Sequence, residues 1–312
     1  MIANLGLLLT MLIWGGFIPV LNLVFDRWDP WSLAAIRYWV ALPLLAIAIR
    51  LGEPGPLLPA GIDWRRVALI GGLGFGGFGG LYTVGVAHAN PITAAIFSSA
   101  GPIVAALVAR FGYGTPLAKG TRPALALAFA GGLLAMVDWH APENPLKFRG
   151  GEILLLLSTV CWCWYSVEAQ RALAGMSQVQ ITFLTMIPAS AVLTLAYLTA
   201  GLFGAAHLPM PKPTVPELAI FLYMGGAVAG LGVMLWNFGV QRLGVVIASI
   251  YLNLIPVVAI GISVALGTPL RLEQLIGGIL VLAGVAMSQF GARVGQARKG
   301  RRRSPDAPER NT

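Results

Sequence analysis

The chain contains the stretch GGLGFGGFGGLYTVGVAHANPITAAIFSSAGPIVA at residues 71–105 and a related copy, GGAVAGLGVMLWNFGVQRLGVVIASIYLNLIPVVA, at residues 225–259. The two align without a gap at a shift of 154 residues, and eleven of the 35 positions are identical. Beyond them, the turn Gly-Thr-Pro-Leu at 114–117 recurs at 267–270. A biased composition alone would not hold one register over this length, so we interpret the chain as an internal duplication.

The composition places this duplication in a membrane. Of the 312 residues, 57% are hydrophobic and 11% are charged, and the mean hydropathy is +0.79. A soluble domain carries about 25% charged residues, so this chain has too few to cover a water-exposed surface. A spanning helix takes about 20 apolar residues. The apolar runs between the turn-rich breaks predict an all-α polytopic membrane protein with ten transmembrane helices.

The predicted spans divide into two halves of five. The first half covers 1–138, an extracytoplasmic linker covers 139–150, the second half covers 151–291, and 292–312 form a disordered basic cytoplasmic tail. Because five is an odd number, the second half enters the membrane from the opposite side. Such inverted repeats are typical of secondary transporters, in which each half adopts in turn the conformation that the other has left.

Basic residues are distributed unevenly between the two sides. Fifteen of the 21 Lys and Arg residues fall on the side of both termini, five fall on the other side, and Arg37 lies inside a span. The positive-inside rule therefore predicts cytoplasmic termini. We expect Arg37 to extend outward to the interface. Seven basic residues lie in the tail between Arg293 and Arg310, which favours an anionic lipid surface over nucleic acid as its partner.

Prolines occur at matching depths in the two halves. Pro102 and Pro256 align in the duplication, while Pro43 and Pro188 lie in the second and seventh spans. A proline within a helix frees a carbonyl, which hydrocarbon tolerates only beside protein or a water-filled cavity. For any one of them taken alone, a packing kink is the better explanation. The matched pair nevertheless predicts interrupted helices at a substrate site, so all four are candidate hinges.

Aromatic and polar side chains within the spans are candidates for substrate contact. Ring faces with a few hydrogen-bonding groups are typical of a cavity for flat or amphipathic solutes. Ordinary helix packing explains each of these residues about as well. The candidates are Trp14, Asn22, Tyr82, Ser98, Ser99, Trp162, Trp164, Tyr165, Trp236, Asn237, Tyr251 and Asn253.

Few ionisable residues are placed to couple transport to protons. The two candidates are His88 and Glu168. A lone histidine at a helix end is more often structural than part of a proton relay. Glu168 has Arg171 three residues further on, a spacing that predicts an interfacial ion pair.

The motifs of cofactor chemistry are not supported by their context. Gly-x-Gly-x-x-Gly at 72–77 has no preceding strand and no acidic residue at the required distance, so it indicates close helix packing instead. Cys161 and Cys163 are expected to face different sides of a helix, which disfavours a disulfide or a metal site. Neither Gly-x-Ser-x-Gly nor His-Glu-x-x-His occurs. We therefore predict no cofactor, no metal and no enzymatic activity.

Three features together resemble the EamA-type transporters of the drug/metabolite transporter superfamily. They are Trp14-Gly15 in the first span, Arg37 in the second, and the unit 85–102 repeated at 239–256. The resemblance covers nearly the whole chain except the tail. It implies ten helices in two inverted repeats around a central cavity lined mainly by helices one, three, four, six, eight and nine. Among the members, the chain is most similar to the YddG-type exporters of aromatic amino acids.

The predicted function is therefore that of a secondary exporter in the inner (plasma) membrane. We expect it to move aromatic or other neutral amino acids and related hydrophobic metabolites by alternating access, as a monomer. Family members commonly carry Gly-Glu after spans four and nine, where this chain has Gly-Thr-Pro-Leu. That departure favours facilitated diffusion over strict proton exchange. The alternatives are a proton-coupled drug/metabolite antiporter of broad specificity and a membrane receptor or scaffold that recruits partners through its tail.

Overall fold

The structure is a computed structural model that describes residues 2–17, 20, 23–24, 26–52, 56–88, 100–115, 121–136, 150–265, 272–273, 275–284 and 286–287. All of the regular secondary structure in these residues is helical. In chain order the helices are α1 (Ile2–Gly15), α2 (Pro30–Gly52), α3 (Trp64–Ala68, Leu69–Gly76 and Gly77–His88 in continuation), α4 (Gly101–Leu107 and Val108–Gly112), α5 (Thr121–Met136), α6 (Gly151–Ala172), α7 (Gln178–Leu202), α8 (Val215–Leu222, Tyr223–Gly232 and Val233–Leu243), α9 (Val245–Tyr251 and Leu254–Ala265) and α10 (Leu275–Gly284).

Five of these helices are long and apolar enough to cross a membrane. They are α2, the Trp64–Gly85 part of α3, α6, α7 and α8, whereas α1, α10 and Gly101–Gly112 of α4 are apolar but shorter. The predicted all-helical, membrane-spanning class is confirmed for the described residues. The count of ten spans and the inverted duplication stay predictions. The tail 292–312 and all of the linker 139–150 except Gly150 lie outside the described residues.

Side-chain caps define where several helices begin. Asp29 accepts hydrogen bonds from the backbone N–H groups two and three residues further on, at 3.0 and 2.9 Å, and Pro30 is the first residue of α2. Asp63 and Ser177 cap α3 and α7 in the same manner. Proline fits a first position because the N–H that it lacks has no partner within the helix. These caps satisfy backbone groups that hydrocarbon could not.

Both α3 and α8 change from α-helical to π-helical winding. The π-helical part of α3 begins at Leu69 and that of α8 at Tyr223, which is the 154-residue shift of the duplication. A Cβ atom on Gly71 would overlap the carbonyl of Thr185 in α7, and one on Gly225 would overlap α2. Glycine therefore lets α3 approach α7 and α8 approach α2 closely, as the glycine spacing predicts.

The aligned prolines begin helical segments rather than interrupt them. Pro102 is the second residue of α4, and Pro256 is the third residue in the second part of α9. A proline there breaks no helical hydrogen bond, because the first N–H groups of a helix have no intrahelical partner. α9 is interrupted at 252–253, just before Pro256, whereas residues 89–99 before α4 lie outside the described residues, so matched interruptions in both halves stay a prediction. Pro43 and Pro188 do lie inside α2 and α7. The hinge role of all four stays a prediction.

The outer surface of the bundle carries large apolar side chains. Leu12, Ile47, Leu157 and Leu195 are examples, each at least 46% exposed. A soluble protein rarely exposes so much apolar surface, whereas lipid accommodates it. The interior is filled by a core that extends over most of the helices.

Candidate substrate cavity

A cavity of about 220 Å³ lies between helices that precede the linker 139–150 in the chain and helices that follow it. Its volume is below the range of about 300–1,000 Å³ typical of drug-sized sites, so it suits a small metabolite. The described residues that line it are Trp14, Phe17, Arg37, Tyr38, Phe75, Phe78, Tyr82, Gly101, Leu155, Thr159, Trp162, Val228, Ala229, Val233, Leu252, Asn253 and Ile255.

Aromatic rings form one continuous wall. Trp14 and Trp162 line the cavity with ring centroids 5.7 Å apart, and Trp236 packs against both from behind the wall, at 5.7 and 5.5 Å. Phe78 extends this contact, since its centroid lies 4.8 Å from that of Trp162. The indole N–H of Trp14 donates a hydrogen bond of 3.1 Å to the carbonyl of Val228, in the π-helical part of α8. Tilted and edge-on ring pairs of this kind hold one another in fixed orientations.

Arg37 contributes the charge of the cavity. It is 8% exposed, and its guanidinium carbon lies 5.1 Å from the ring centroid of Tyr38 and 5.6 Å from that of Phe17. Nε and Nη2 are buried and have no hydrogen-bond partner among the described residues. The expectation that Arg37 extends outward to the interface is therefore wrong, because α2 directs the side chain into the bundle. Its position as the one basic residue inside a predicted span was the sequence signal for a functional role.

A hydrogen-bonded network lies behind the aromatic wall. The Asn237 amide nitrogen donates to the hydroxyl oxygens of Tyr165 and Thr182, both at 3.1 Å. The indole N–H of Trp236 donates to the Ser166 hydroxyl at 2.9 Å. These bonds join α6, α7 and α8 in the buried interior. The network therefore positions the wall without itself lining the cavity.

The twelve predicted substrate-binding residues fall into three groups. Four of them line the cavity: Trp14, Tyr82, Trp162 and Asn253. Five lie in the described helices but outside the cavity lining: Trp164, Tyr165, Trp236, Asn237 and Tyr251. Three lie outside the described residues: Asn22, Ser98 and Ser99. A role in substrate binding stays a prediction for each of them.

Phenylalanines in the lining were not among those candidates. Phe75 stacks on Tyr165 with a centroid distance of 4.9 Å, and Phe78 lies one helical turn further along α3. The duplication pairs Phe75 with Ala229 at the 154-residue shift, and the structure places both in the lining.

One ionic cluster joins the first half of the chain to the second at one end of the bundle. Arg27 Nη1 donates to both carboxylate oxygens of Glu217, at 2.7 and 2.8 Å. Trp28 Nε1 donates to the same carboxylate at 3.0 Å, and the Thr214 backbone N–H donates at 2.7 Å to complete the capping box of α8. A carboxylate with this many donors is strongly held in place.

A second ionic cluster surrounds Glu168, near the end of α6. The chain passes from there to Glu217, at the start of α8, by crossing the bundle once through α7, so the two clusters lie at opposite ends. Arg66 Nη2 donates to Glu168 at 2.5 Å, and the Tyr113 hydroxyl donates to it at 3.2 Å. Burial and the nearby carboxylate raise the pKa of Tyr113 to about 12, so the phenol keeps its proton. The guanidinium of Arg171 lies over the Tyr113 ring at 4.8 Å. The expected Glu168–Arg171 ion pair is therefore wrong.

Neither candidate for proton coupling faces the cavity. Glu168 belongs to the cluster just described, and His88 is exposed, with Nδ1 2.9 Å from the carbonyl of Val84 one turn earlier. Among the described residues, no group of three or more His, Cys, Asp or Glu is close enough to hold a metal ion.

The sequence model of the EamA-like transporter family matches residues 1–137 and 149–290. The chain belongs to the EamA-like transporter family. This EamA-like protein is 26% identical over 258 residues to a Bacillus subtilis (strain 168) protein named "Uncharacterized transporter YyaM", with 82% of this chain and 83% of the relative covered. It is 25% identical over 287 residues to the Escherichia coli (strain K12) "Uncharacterized inner membrane transporter YedA", with 89% and 87% covered.

A solved crystal structure shares the fold of this EamA-like protein. The TM-score is 0.75 at 19% sequence identity, with 94% of this chain and 98% of the other covered. The family, the relatives and the apolar helices together show a multi-pass membrane transporter, as the sequence resemblance implied. Similarity to the YddG-type exporters in particular stays a prediction.

Proposed function

We propose that this transporter is a secondary exporter of aromatic or other neutral amino acids and related hydrophobic metabolites. The observation that supports it is the cavity of about 220 Å³, lined by rings from α1, α2, α3 and α6. Flat apolar solutes gain contact area and favourable ring geometry against such a wall. The volume favours small metabolites over larger drugs.

We further propose that the halves move by alternating access. Arg27 and Arg66 belong to the first half, and their partners Glu217 and Glu168 belong to the second. Each cluster therefore joins the halves, and the two clusters lie at opposite ends. A carrier must keep one end closed while the other is open, and in this proposal each cluster closes its own end. The glycine contacts of α3 with α7 and of α8 with α2 are the surfaces that shift.

We place this carrier in the inner membrane, with both termini in the cytoplasm. The 15 to 5 distribution of basic residues supports that orientation. The name of the Escherichia coli relative, an inner membrane transporter, supports the location. The presence of both halves in one chain supports function as a monomer, with the substrate and the lipid bilayer as its partners.

Flux through reconstituted protein tests the proposal. Liposomes that contain the purified protein are loaded with radiolabelled tryptophan, phenylalanine or threonine, with and without a pH gradient, and protein-free liposomes serve as the control. We expect the two aromatic amino acids to leave without a gradient. Flux only with a gradient would support the proton-coupled antiporter instead, and absence of flux would contradict the substrate assignment. Deletion of residues 292–312 should leave flux unchanged, whereas the receptor or scaffold function requires that tail.

A further inference from the structure

Arg37 carries a charge that none of the described residues neutralises. Its side chain lines the cavity and is 8% exposed, and Nε and Nη2 have no hydrogen-bond partner among the described residues. A buried cation is strongly disfavoured unless it is paired and hydrogen-bonded. A site that keeps such a cation is therefore suited to an anionic group that arrives with a ligand.

The acidic side chains of the described ion pairs are engaged elsewhere. Glu217 and Glu168 hold Arg27 and Arg66 at the two ends of the bundle, at 2.7 and 2.5 Å. Among the described residues that line the cavity, none is Asp or Glu. The part of the chain that the structure describes thus supplies no carboxylate to Arg37.

Two aromatic rings flank the guanidinium. The rings of Tyr38 and Phe17 lie 5.1 and 5.6 Å from its central carbon, which is the distance of a cation–π contact. Such rings bind the guanidinium without using its N–H groups as conventional donors. The free N–H groups of an arginine match the two oxygens of a carboxylate, which accepts a pair of parallel hydrogen bonds from them.

Asn253 provides a second donor from the other half of the chain. It lies at the break in α9, lines the cavity and is 3% exposed. Its Nδ2 is also buried without a hydrogen-bond partner among the described residues. A cavity with two unused donor groups and no acidic group in its described lining favours a ligand that is rich in acceptors.

We infer that Arg37 binds the carboxylate of the transported solute, with Asn253 as a second donor and the aromatic wall in contact with the apolar body. That the solute has an aromatic body rests on the proposed function. The new element is that the solute must also carry a carboxylate. Amines and lipophilic cations that lack a carboxylate are excluded, because they would leave Arg37 unpaired and be repelled by it.

Two variants and one matched control test the role of Arg37. Arg37→Gln removes the charge, and Arg37→Lys keeps the charge but loses the planar pair of donors. Arg50→Gln is the control, because it makes the same substitution at an exposed position of the same helix. Thermal unfolding of each purified protein establishes that the variant is folded.

Equilibrium binding is measured by protein tryptophan fluorescence in phosphatidylcholine nanodiscs, whose lipids carry no net charge. The ligands are phenylalanine, 3-phenylpropionate, which lacks the ammonium group, and phenylalaninol, which lacks the carboxylate. We expect the wild-type protein to bind phenylalaninol at least about 30-fold more weakly than phenylalanine. Arg37→Gln should weaken the binding of both acids by at least about 30-fold and should strengthen rather than weaken that of phenylalaninol, because the positive charge that repels its ammonium group is removed. The affinity of Arg37→Lys for the two acids should lie between those of the wild-type protein and Arg37→Gln. Arg50→Gln should bind all three ligands as the wild type does.

The outcomes separate this inference from the proposed function. Equal binding of phenylalaninol and phenylalanine by the wild-type protein would overturn the inference, and so would unchanged binding of phenylalanine by folded Arg37→Gln. Neither result would touch a measured flux of aromatic amino acids. Binding of 3-phenylpropionate, but no binding or flux of phenylalanine, would support the carboxylate site and contradict the amino-acid substrate. If Arg37→Gln does not fold, the comparison of the three ligands on the wild-type protein decides the question.

Discussion

Trp164 and Tyr82 show how the surroundings of a single aromatic residue decide its role. Tyr82 lines the cavity from α3, and its ring centroid lies 5.6 Å from that of Phe78. Trp164 lies outside the lining, and its ring packs on Gly74, where a Cβ atom would come within 3.2 Å of it. The first side chain is therefore available to a solute, whereas the second holds α6 against α3.

Alanine substitutions at these two positions should have different effects. We expect Tyr82→Ala to lower the flux of phenylalanine by about tenfold, since the loss of a ring contact of about 1.4 kcal/mol corresponds to that factor. Trp164→Ala should lower the thermal stability and leave flux per folded protein within about twofold of the wild type. Liposome flux, normalised to the folded protein recovered, measures both. An equal loss of flux in the two variants would contradict the assignment of the lining.

The sequence predicted some of the residues that line the cavity and missed others. It identified Trp14, Tyr82, Trp162 and Asn253 as candidates because they are aromatic or polar within apolar runs. It could not distinguish them from the residues behind the wall, because residue type and depth do not fix the direction of a side chain. For the same reason it predicted the wrong direction for Arg37.

At the scale of the helices, glycine determines which elements approach one another. Gly71 of α3 lies against the backbone of α7, and Gly225 of α8 lies against Val40 and the Arg37 carbonyl of α2. Both glycines belong to π-helical segments, a rare winding that is frequent at functional sites. These two interfaces are related by the 154-residue shift of the sequence duplication. They also bring α2 and its Arg37 to the cavity.

Adding one methyl group at either interface should destabilise the bundle. We expect Gly71→Ala and Gly225→Ala to lower the free energy of unfolding by about 1–3 kcal/mol each, because the new Cβ atom overlaps a packed neighbour. Gly261→Ala is the matched control, since it lies in α9 and no atom of the described residues lies within 4 Å of the added carbon. Thermal unfolding in detergent measures all three. A loss of stability as large in Gly261→Ala would show that helix–helix overlap is not the cause.

The register of the duplication predicted which helices carry the glycine contacts, but not their winding. Helical periodicity gives the same apolar pattern for α and π turns over a few residues, so the sequence could not predict the π-helical segments. The position of the aligned prolines within their helices was a second feature that the sequence left undetermined. Pro102 and Pro256 are compatible with either a helix interior or a helix start, and only the backbone hydrogen bonds distinguish the two.

At the scale of the whole molecule, the two ionic clusters relate the cavity to the ends of the bundle. Arg27 and Glu217 join the halves at one end, and Arg66 and Glu168 join them at the other. These partners lie 190 and 102 residues apart in the chain. Local spacing therefore predicted Arg171 as the partner of Glu168, whereas the tertiary fold provides Arg66. Composition and the duplication, in contrast, were sufficient to predict a membrane-spanning transporter.

Neutralising one cluster should loosen one end of the bundle. We expect Glu217→Gln to raise amide hydrogen exchange around residues 26–29 and 212–217, and Glu168→Gln to raise it around 64–68 and 110–115, because each variant loses a charged partner across the halves. Exchange measured by mass spectrometry in nanodiscs tests both variants. Faster exchange at both ends in each variant would indicate general destabilisation rather than two separate closures.

Counterflow tests the central claim most directly, because it requires a cavity that opens to each side in turn. Liposomes that contain the protein are loaded with unlabelled phenylalanine and diluted into a trace of labelled phenylalanine, without a pH gradient. The proposed exporter should take up the label transiently above its equilibrium level, and Tyr82→Ala should diminish this overshoot. Absence of uptake, or uptake only with an imposed gradient, would contradict an alternating-access exporter that moves aromatic amino acids by facilitated diffusion.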